Sequence, residues 1–166
     1  MSALGNVHTL DLSGCKGITD VSALGNVHTL DLTGCKTIAD VSALGNVHTL
    51  NLSHCIGITD VKGLENVYDL DLSYCKVTDI RDLQNIVKLR AFYCDLLEEI
   101  VNLPKVTKID VSECRMLRLL DSLPNLQYLN IENTLNLQEM TKIPFTIIRD
   151  LIEDDKLDSE LVTINW

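Results

Sequence analysis

Apolar residues recur along this chain with a fixed rhythm. From Val7 they fall at Leu10, Leu12, Cys15, Ile18, Val21 and Leu24, and the pattern restarts at Val27. The step is three residues throughout, except between Leu10 and Leu12, where it is two. A step of two belongs to an extended strand, whose side chains alternate between faces. A step of three fits a tight three-fold path, 3₁₀ or polyproline-like. Each period therefore predicts one short strand followed by a compact, non-helical return.

The wording repeats as well as the rhythm. The block VSALGNVHTLDL at residues 21–32 returns almost unchanged at 41–52, and SALGNVHTLDL follows Met1. A 20-residue period marks a solenoid, in which one coil alone cannot bury its apolar side. The register outlives the copied wording. The fourth coil reads Val67, Leu70, Leu72, Cys75, Val77, Ile80 and Leu83, with one residue deleted after Lys76. The fifth reads Ile86, Leu89, Ala91, Cys94, Leu97, Ile100 and Leu103; the sixth reads Val106, Ile109, Val111, Cys114, Leu117, Leu120 and Leu123. The seventh reads Leu126, Leu129, Ile131, Thr134, Leu137, Met140 and Ile143. Pro104, Pro124 and Pro144 recur just before strand positions, where a fixed φ and a missing N–H cost little.

The segment from Val7 to Cys15 has the form LxxLxLxxC and resembles the strand motif of the leucine-rich-repeat family, with cysteine in the Asn/Cys place. The segment ITDVSAL is similar to the return of cysteine-containing, internalin-type repeats. The repeated wording is also similar to leucine-rich-repeat proteins multiplied in giant viruses. The resemblance covers residues 1–145. It implies an α/β solenoid dominated by β: a right-handed coil with parallel strands on a concave face and a non-helical convex side. Period and resemblance agree, because strands stack at about 4.8 Å and convex helices need about 8–10 Å each.

After Ile143 the rhythm fails, and Arg149 falls where a core leucine belongs. Ile147, Ile148, Leu151 and Ile152 have helical spacing, with Asp150, Glu153, Asp154 and Asp155 opposite. A C-terminal helix closing the solenoid is expected, with Leu161, Val162, Ile164 and Trp166 adding cover. The chain thus divides into a solenoid of about seven coils, residues 1–145, and a cap, residues 146–166. The first coil has no comparable cap. Leu4, Val7, Leu10 and Leu12 are expected at an open end, which either pairs end to end with a second chain as a homodimer or frays in a monomer.

Composition narrows the partners. Apolar residues make up 46% and aromatics only 4%, so the core is aliphatic. The net charge of -10 argues against nucleic acid and anionic membrane, which need a positive footprint, and suits neutral or basic partners. No signal peptide is visible, and no apolar run approaches the roughly 18 residues of a membrane span. The cysteines Cys15, Cys35, Cys55, Cys75, Cys94 and Cys114 occur once per coil, with no close pair for a disulfide framework or a zinc site. They are expected to form a buried ladder of reduced thiols, in an intracellular, cytoplasmic setting.

No nucleotide-binding, hydrolase or metalloprotease motif is present, so neither an enzyme nor a cofactor is expected. His8, His28 and His48 form one column about 5 Å apart, close enough to share a metal, but duplication explains the column. Asp20, Asp40, Asp60 and Asp79 read as turn caps rather than calcium ligands. The outward strand positions of the first coils are small and monotonous: Thr9, Asp11, Ser13 and their copies. Coils four to seven differ. Tyr74, Lys88, Arg90, Phe92, Tyr93, Lys108, Asp110, Glu113 and Tyr128 bring aromatic and charged groups of the kind that dominate hot spots. His54, Tyr74 and Tyr93 share one position and are expected to stack. The plainer reading is that these rings only cover the sheet. The expected function is a non-catalytic protein-interaction scaffold that binds a protein or peptide on coils four to seven. The alternative is an assembly protein that associates through its first coil.

Overall fold

A computed structural model describes residues 7–154 and 162–165. Its dominant feature is a parallel sheet of seven three-residue strands, one per coil. These are β1 (Thr9–Asp11), β2 (Thr29–Asp31), β3 (Thr49–Asn51), β4 (Asp69–Asp71), β5 (Lys88–Arg90), β7 (Lys108–Asp110) and β9 (Tyr128–Asn130). The step of two residues makes each strand: Leu10 and Leu12 point to the core side, and Asp11 between them points away. The central positions pair in one line, Leu10, Leu30, Leu50, Leu70, Leu89, Ile109 and Leu129. A one-residue slip would turn that whole line outward, so burial fixes the register. The deletion after Lys76 is absorbed in the return, where Val77 takes up a fully buried place.

The turn after six of these seven strands is closed by an Asp or Asn side chain. Ser13, Thr33, Ser53, Ser73, Ser112 and Glu132 donate their backbone N–H to Asp11, Asp31, Asn51, Asp71, Asp110 and Asn130, at 2.8–3.1 Å. Asp20, Asp40, Asp60 and Asp79 do the same for the N–H two residues on, as the sequence predicts, and start the return. Their pKa values bear on this: the Ser22 N–H holds the Asp20 carboxyl below the ordinary range, and a side-chain bond from Arg81 does so for Asp79.

The return is not free of strands, as the spacing alone suggested. From the fifth coil it carries a second parallel sheet, formed by β6 (Glu99–Val101), β8 (Leu119–Asp121), β10 (Glu139–Thr141) and β11 (Thr163–Asn165). The cause is one position. Where the first four coils have the turn-closing Asp, these coils have Glu99, Leu119 and Glu139. A longer or apolar side chain does not close an Asx turn, so the backbone stays extended and pairs. In coils one and two the same stretch instead forms 3₁₀ turns at Ser22–Leu24 and Ser42–Leu44.

One aliphatic core runs from Val21 to Val162. The helix α1 (Phe145–Glu153) buries Ile147, Ile148 and Leu151 against it. Ile152, expected on the buried face, is instead 42% exposed, because it lies a helical step beyond the stripe that meets the core. Val162 is buried, and β11 extends the second sheet. Leu161, Trp166 and Asp155 lie outside the described residues.

The cysteine ladder is real but one rung short. Cys35, Cys55, Cys75, Cys94 and Cys114 are buried. Each thiol donates to a carbonyl of the preceding coil: Leu12, Leu32, Leu52, Leu72 and Ala91, at 2.9–3.2 Å. Cys15 is exposed, contrary to expectation. Its rung would need a coil before it to cover the sulfur, and none is described there. In the seventh coil Thr134 replaces the thiol and turns its hydroxyl onto Ile131 of its own coil, at 2.6 Å.

Candidate partner-binding face

Every residue singled out on coils four to seven lies along the outer side of β4, β5, β7 and β9 or in the turns that follow them. The aromatic cluster is centred on Tyr74. His54 stacks on it at 4.1 Å, Tyr93 stacks on its other side at 5.3 Å, and Phe92 meets it edge-on at 5.2 Å. Arg115 closes the far end, its guanidinium 5.4 Å from the Tyr93 ring and paired with Glu113. Asn133 also donates to Glu113, at 2.7 Å.

His54, Tyr74 and Tyr93 stand on strained backbone. Their position has left-handed φ in all seven coils: 70° and 71° at Gly14 and Gly34, then 60° at His54, 63° at Tyr74, 57° at Tyr93, 61° at Glu113 and 58° at Asn133. Glycine adopts this region freely, whereas a residue with a Cβ is strained there by about 1–3 kcal/mol.

Beside the rings is a charged patch. Arg90 donates from Nε to Asp71 at 2.9 Å and from an Nη to Asp69 at 3.2 Å, and Lys88 lies 3.7 Å from Asp69. Burial works against the Arg90 charge, but the two carboxylates outweigh it and raise its pKa. Arg90 is therefore the one strand residue of its column that cannot close the turn, and it binds Asp69 and Asp71 of the preceding strand instead. Lys88 and Lys108 are register neighbours on β5 and β7. With Asp110 and the half-exposed ring of Tyr128 they line a cleft of about 170 Å³. The Asp110 carboxylate is engaged by Ser112 through both backbone N–H and hydroxyl.

The histidine column stacks face to face, His8 on His28 at 4.5 Å and His28 on His48 at 4.7 Å, and Tyr68 continues it at 4.7 Å. Parallel stacked rings aim their nitrogen lone pairs side by side, not at a common point, which suits packing better than chelation. Desolvation, then the charges of His8 and His48, lowers the His28 pKa. At the first coil Val7 is 38% exposed, and Leu10 and Leu12 are only partly buried. Leu4 lies outside the described residues.

Sequence reasoning missed Asp95, Arg115 and a set of exposed apolar residues after the cysteine rungs: Ile56, Leu96, Met116 and Leu135. The four apolar residues left a signal, since each is out of step with the rhythm; Asp95 and Arg115 left none.

This architecture, a parallel-strand solenoid of about seven turns with one C-terminal helix, defines a leucine-rich-repeat fold. The family model described as Leucine Rich repeat matches residues 6–25, the span of about one coil. Among solved structures, an internalin of Listeria monocytogenes, inlF, is similar at 19% identity with a TM-score of 0.54, over 84% of this chain and 55% of that one. The functional domain of InlJ from the same organism, which includes a cysteine ladder, is 16% identical, with a TM-score of 0.37 over 74% of this chain and 45% of that one. Internalin C2 of that organism is 19% identical, with a TM-score of 0.40 over 99% and 84%. At 19% identity the likeness to inlF is one of fold alone. The chain spans about half the length of the first two structures. No curated protein matches the sequence.

Proposed function

We propose that this protein is a non-catalytic scaffold that binds a protein or peptide on the outer side of the first sheet in coils four to seven. Leucine-rich-repeat proteins generally bind protein partners, and the proposal places that role on Tyr74, Lys88, Arg90, Phe92, Tyr93, Lys108, Asp110, Glu113 and Tyr128. One observation carries it. Tyr74 and Tyr93 hold large rings at left-handed positions that glycine fills without strain in coils one and two. The fold does not need those rings there, and rigid, partly exposed aromatics are what interfaces use as anchors. The fixed Arg90 and the Lys88–Lys108 pair, with Asp69 and Asp71 against them, put charges of both signs around the rings. Five buried, unpaired thiols suit a reducing, intracellular setting. Among the described residues no helix is long and apolar enough to cross a membrane.

The test is affinity capture with Phe92→Ser/Tyr93→Ser, compared with outward changes at Thr29 and Asp31. Binding should fall at least tenfold in the first variant and little in the second. The opposite ranking would place the site elsewhere.

A second reading rests on the first coil, where Val7 is 38% exposed and β1 is the edge of its sheet. An unpaired edge beside apolar side chains favours end-to-end association. Sedimentation over a concentration range, with Leu10→Asp as control, should show a self-association that the variant abolishes. A wild type that stays monomeric at every concentration rejects it.

A further inference from the structure

We propose that the cleft behind the aromatic row seats one long basic side chain, lysine or arginine, from a partner polypeptide. This deepens the binding reading and rests on it for the partner; the seat itself is testable alone. The cleft measures about 420 Å³, within the range of about 300–1,000 Å³ typical of ligand sites. Its walls include His54, Tyr74 and Tyr93, with Ile56 and Leu96, which are 43% and 48% exposed. Asp95 lines it too, and this residue sets the chemistry.

The Asp95 Oδ1 atom is shut off from solvent and, among the described residues, accepts no hydrogen bond. A buried polar atom left without a partner is costly, by about 1–3 kcal/mol and more when charged. The carboxylate's field also reaches the core. Burial pushes the Cys114 thiol up to about 12, with the Asp95 charge a smaller contributor. Asp95 as a whole is only part-buried, so a cation in the cleft can approach the residue from its open side and offset its charge, without bonding Oδ1 itself.

The occupant follows from these walls. Ile56 and Leu96 offer apolar surface for a methylene stem, in the way lysine and arginine stems pack while their heads stay polar. The faces of Tyr74 and Tyr93 are taken by His54, by each other and by Arg115, so the attraction for a cation comes from Asp95, which supplies the counter-charge. A purely apolar side chain would leave Asp95 unmet, and an acidic one would be repelled. The row already shows the preference at its far end, where Arg115 lies over Tyr93. The chain's charge of -10 points the same way. Lys76, exposed on the cleft wall, is the internal competitor for Asp95.

The experiment titrates the full chain, with labelled methyl groups, against N-acetylarginine methylamide and its norleucine and glutamate analogues. The arginine probe should give saturable shifts at the Ile56 and Leu96 methyls, with at least fivefold weaker binding of the norleucine probe and none of the glutamate probe. Asp95→Asn should weaken the arginine probe at least fivefold, and Lys76→Met should strengthen it. Undiminished arginine binding by a folded Asp95→Asn, or shifts confined to other coils, overturns the seat. Should Asp95→Asn disturb the fold, Lys76→Met decides alone: unchanged or weaker binding overturns it. Loss of the seat with partner capture still sensitive to Phe92 and Tyr93 would leave the binding face standing. A seat that binds the probe while capture ignores those rings would reject the face alone.

Discussion

The thiol ladder makes a prediction with a size attached. Cys75 and Cys114 are pushed up to about 12 and Cys55 to about 11, chiefly by burial, from an ordinary 9.0. Thiolate is the reactive form, so at pH 8 a thiol at 12 offers about a thousandfold less of it than one at 9.0, and a thiol at 11 about a hundredfold less. Burial adds a second barrier, since reagent reaches these sulfurs only when a coil opens. Cys15 is exposed and escapes that barrier. Native protein treated with a maleimide at pH 8 and mapped by mass spectrometry should therefore label Cys15 first, and Cys55, Cys75, Cys94 and Cys114 at least a hundredfold more slowly. Cys15→Ser should abolish the fast phase, and urea should bring all remaining thiols to one rate. If two or more of Cys55, Cys75, Cys94 and Cys114 react as fast as Cys15, the thiol-to-carbonyl ladder is wrong.

Other outcomes follow from the same coordinates. Gly45→Ala should destabilise by about 1–3 kcal/mol in urea melts, because an added Cβ would collide with the Gly63 carbonyl oxygen of the next coil; an unchanged midpoint would refute that packing. The lowered His28 pKa means the unfolded chain takes up the proton first. Stability from the neutral stack is thus full above pH 6.5 and is lost as pH falls below it. Protection factors of the amides in residues 28–31 should fall from pH 7 to pH 5 more than in His28→Asn, and equal responses would count against the stack. Leu119→Asp should close an Asx turn in the sixth coil and loosen the second sheet there, read as faster exchange at residues 119–121; slower or unchanged exchange would contradict the cause assigned to that sheet.

Much of this fold was legible because its determinants are local. The Leu10–Leu12 step, the Asx turns at Asp20, Asp40, Asp60 and Asp79, and the spacing of Ile147, Ile148 and Leu151 each act over a few residues. The stacked row of His54, Tyr74 and Tyr93 followed from the period alone. What escaped depends on neighbours a full coil away. Cys15 shares its wording with Cys35, but no coil is described before it and it is exposed. Arg90 reads as a free hot spot until β4 brings Asp69 and Asp71 against it. The second sheet turns on the difference between Asp and Glu at Glu99 and Glu139, which no apolar rhythm records. Asp95 showed its importance only when burial revealed an oxygen without a donor.

The central claim is that the diverged rings and charges of coils four to seven, not the copied coils, contact a partner. A photo-crosslinking side chain placed at Tyr128, and in a second protein at Thr29, tests it in the native cell. The account predicts a crosslinked partner from Tyr128 that disappears when Phe92→Ser/Tyr93→Ser is added, and none from Thr29. The same adduct arising from Thr29, or persisting from Tyr128 without those rings, would contradict it.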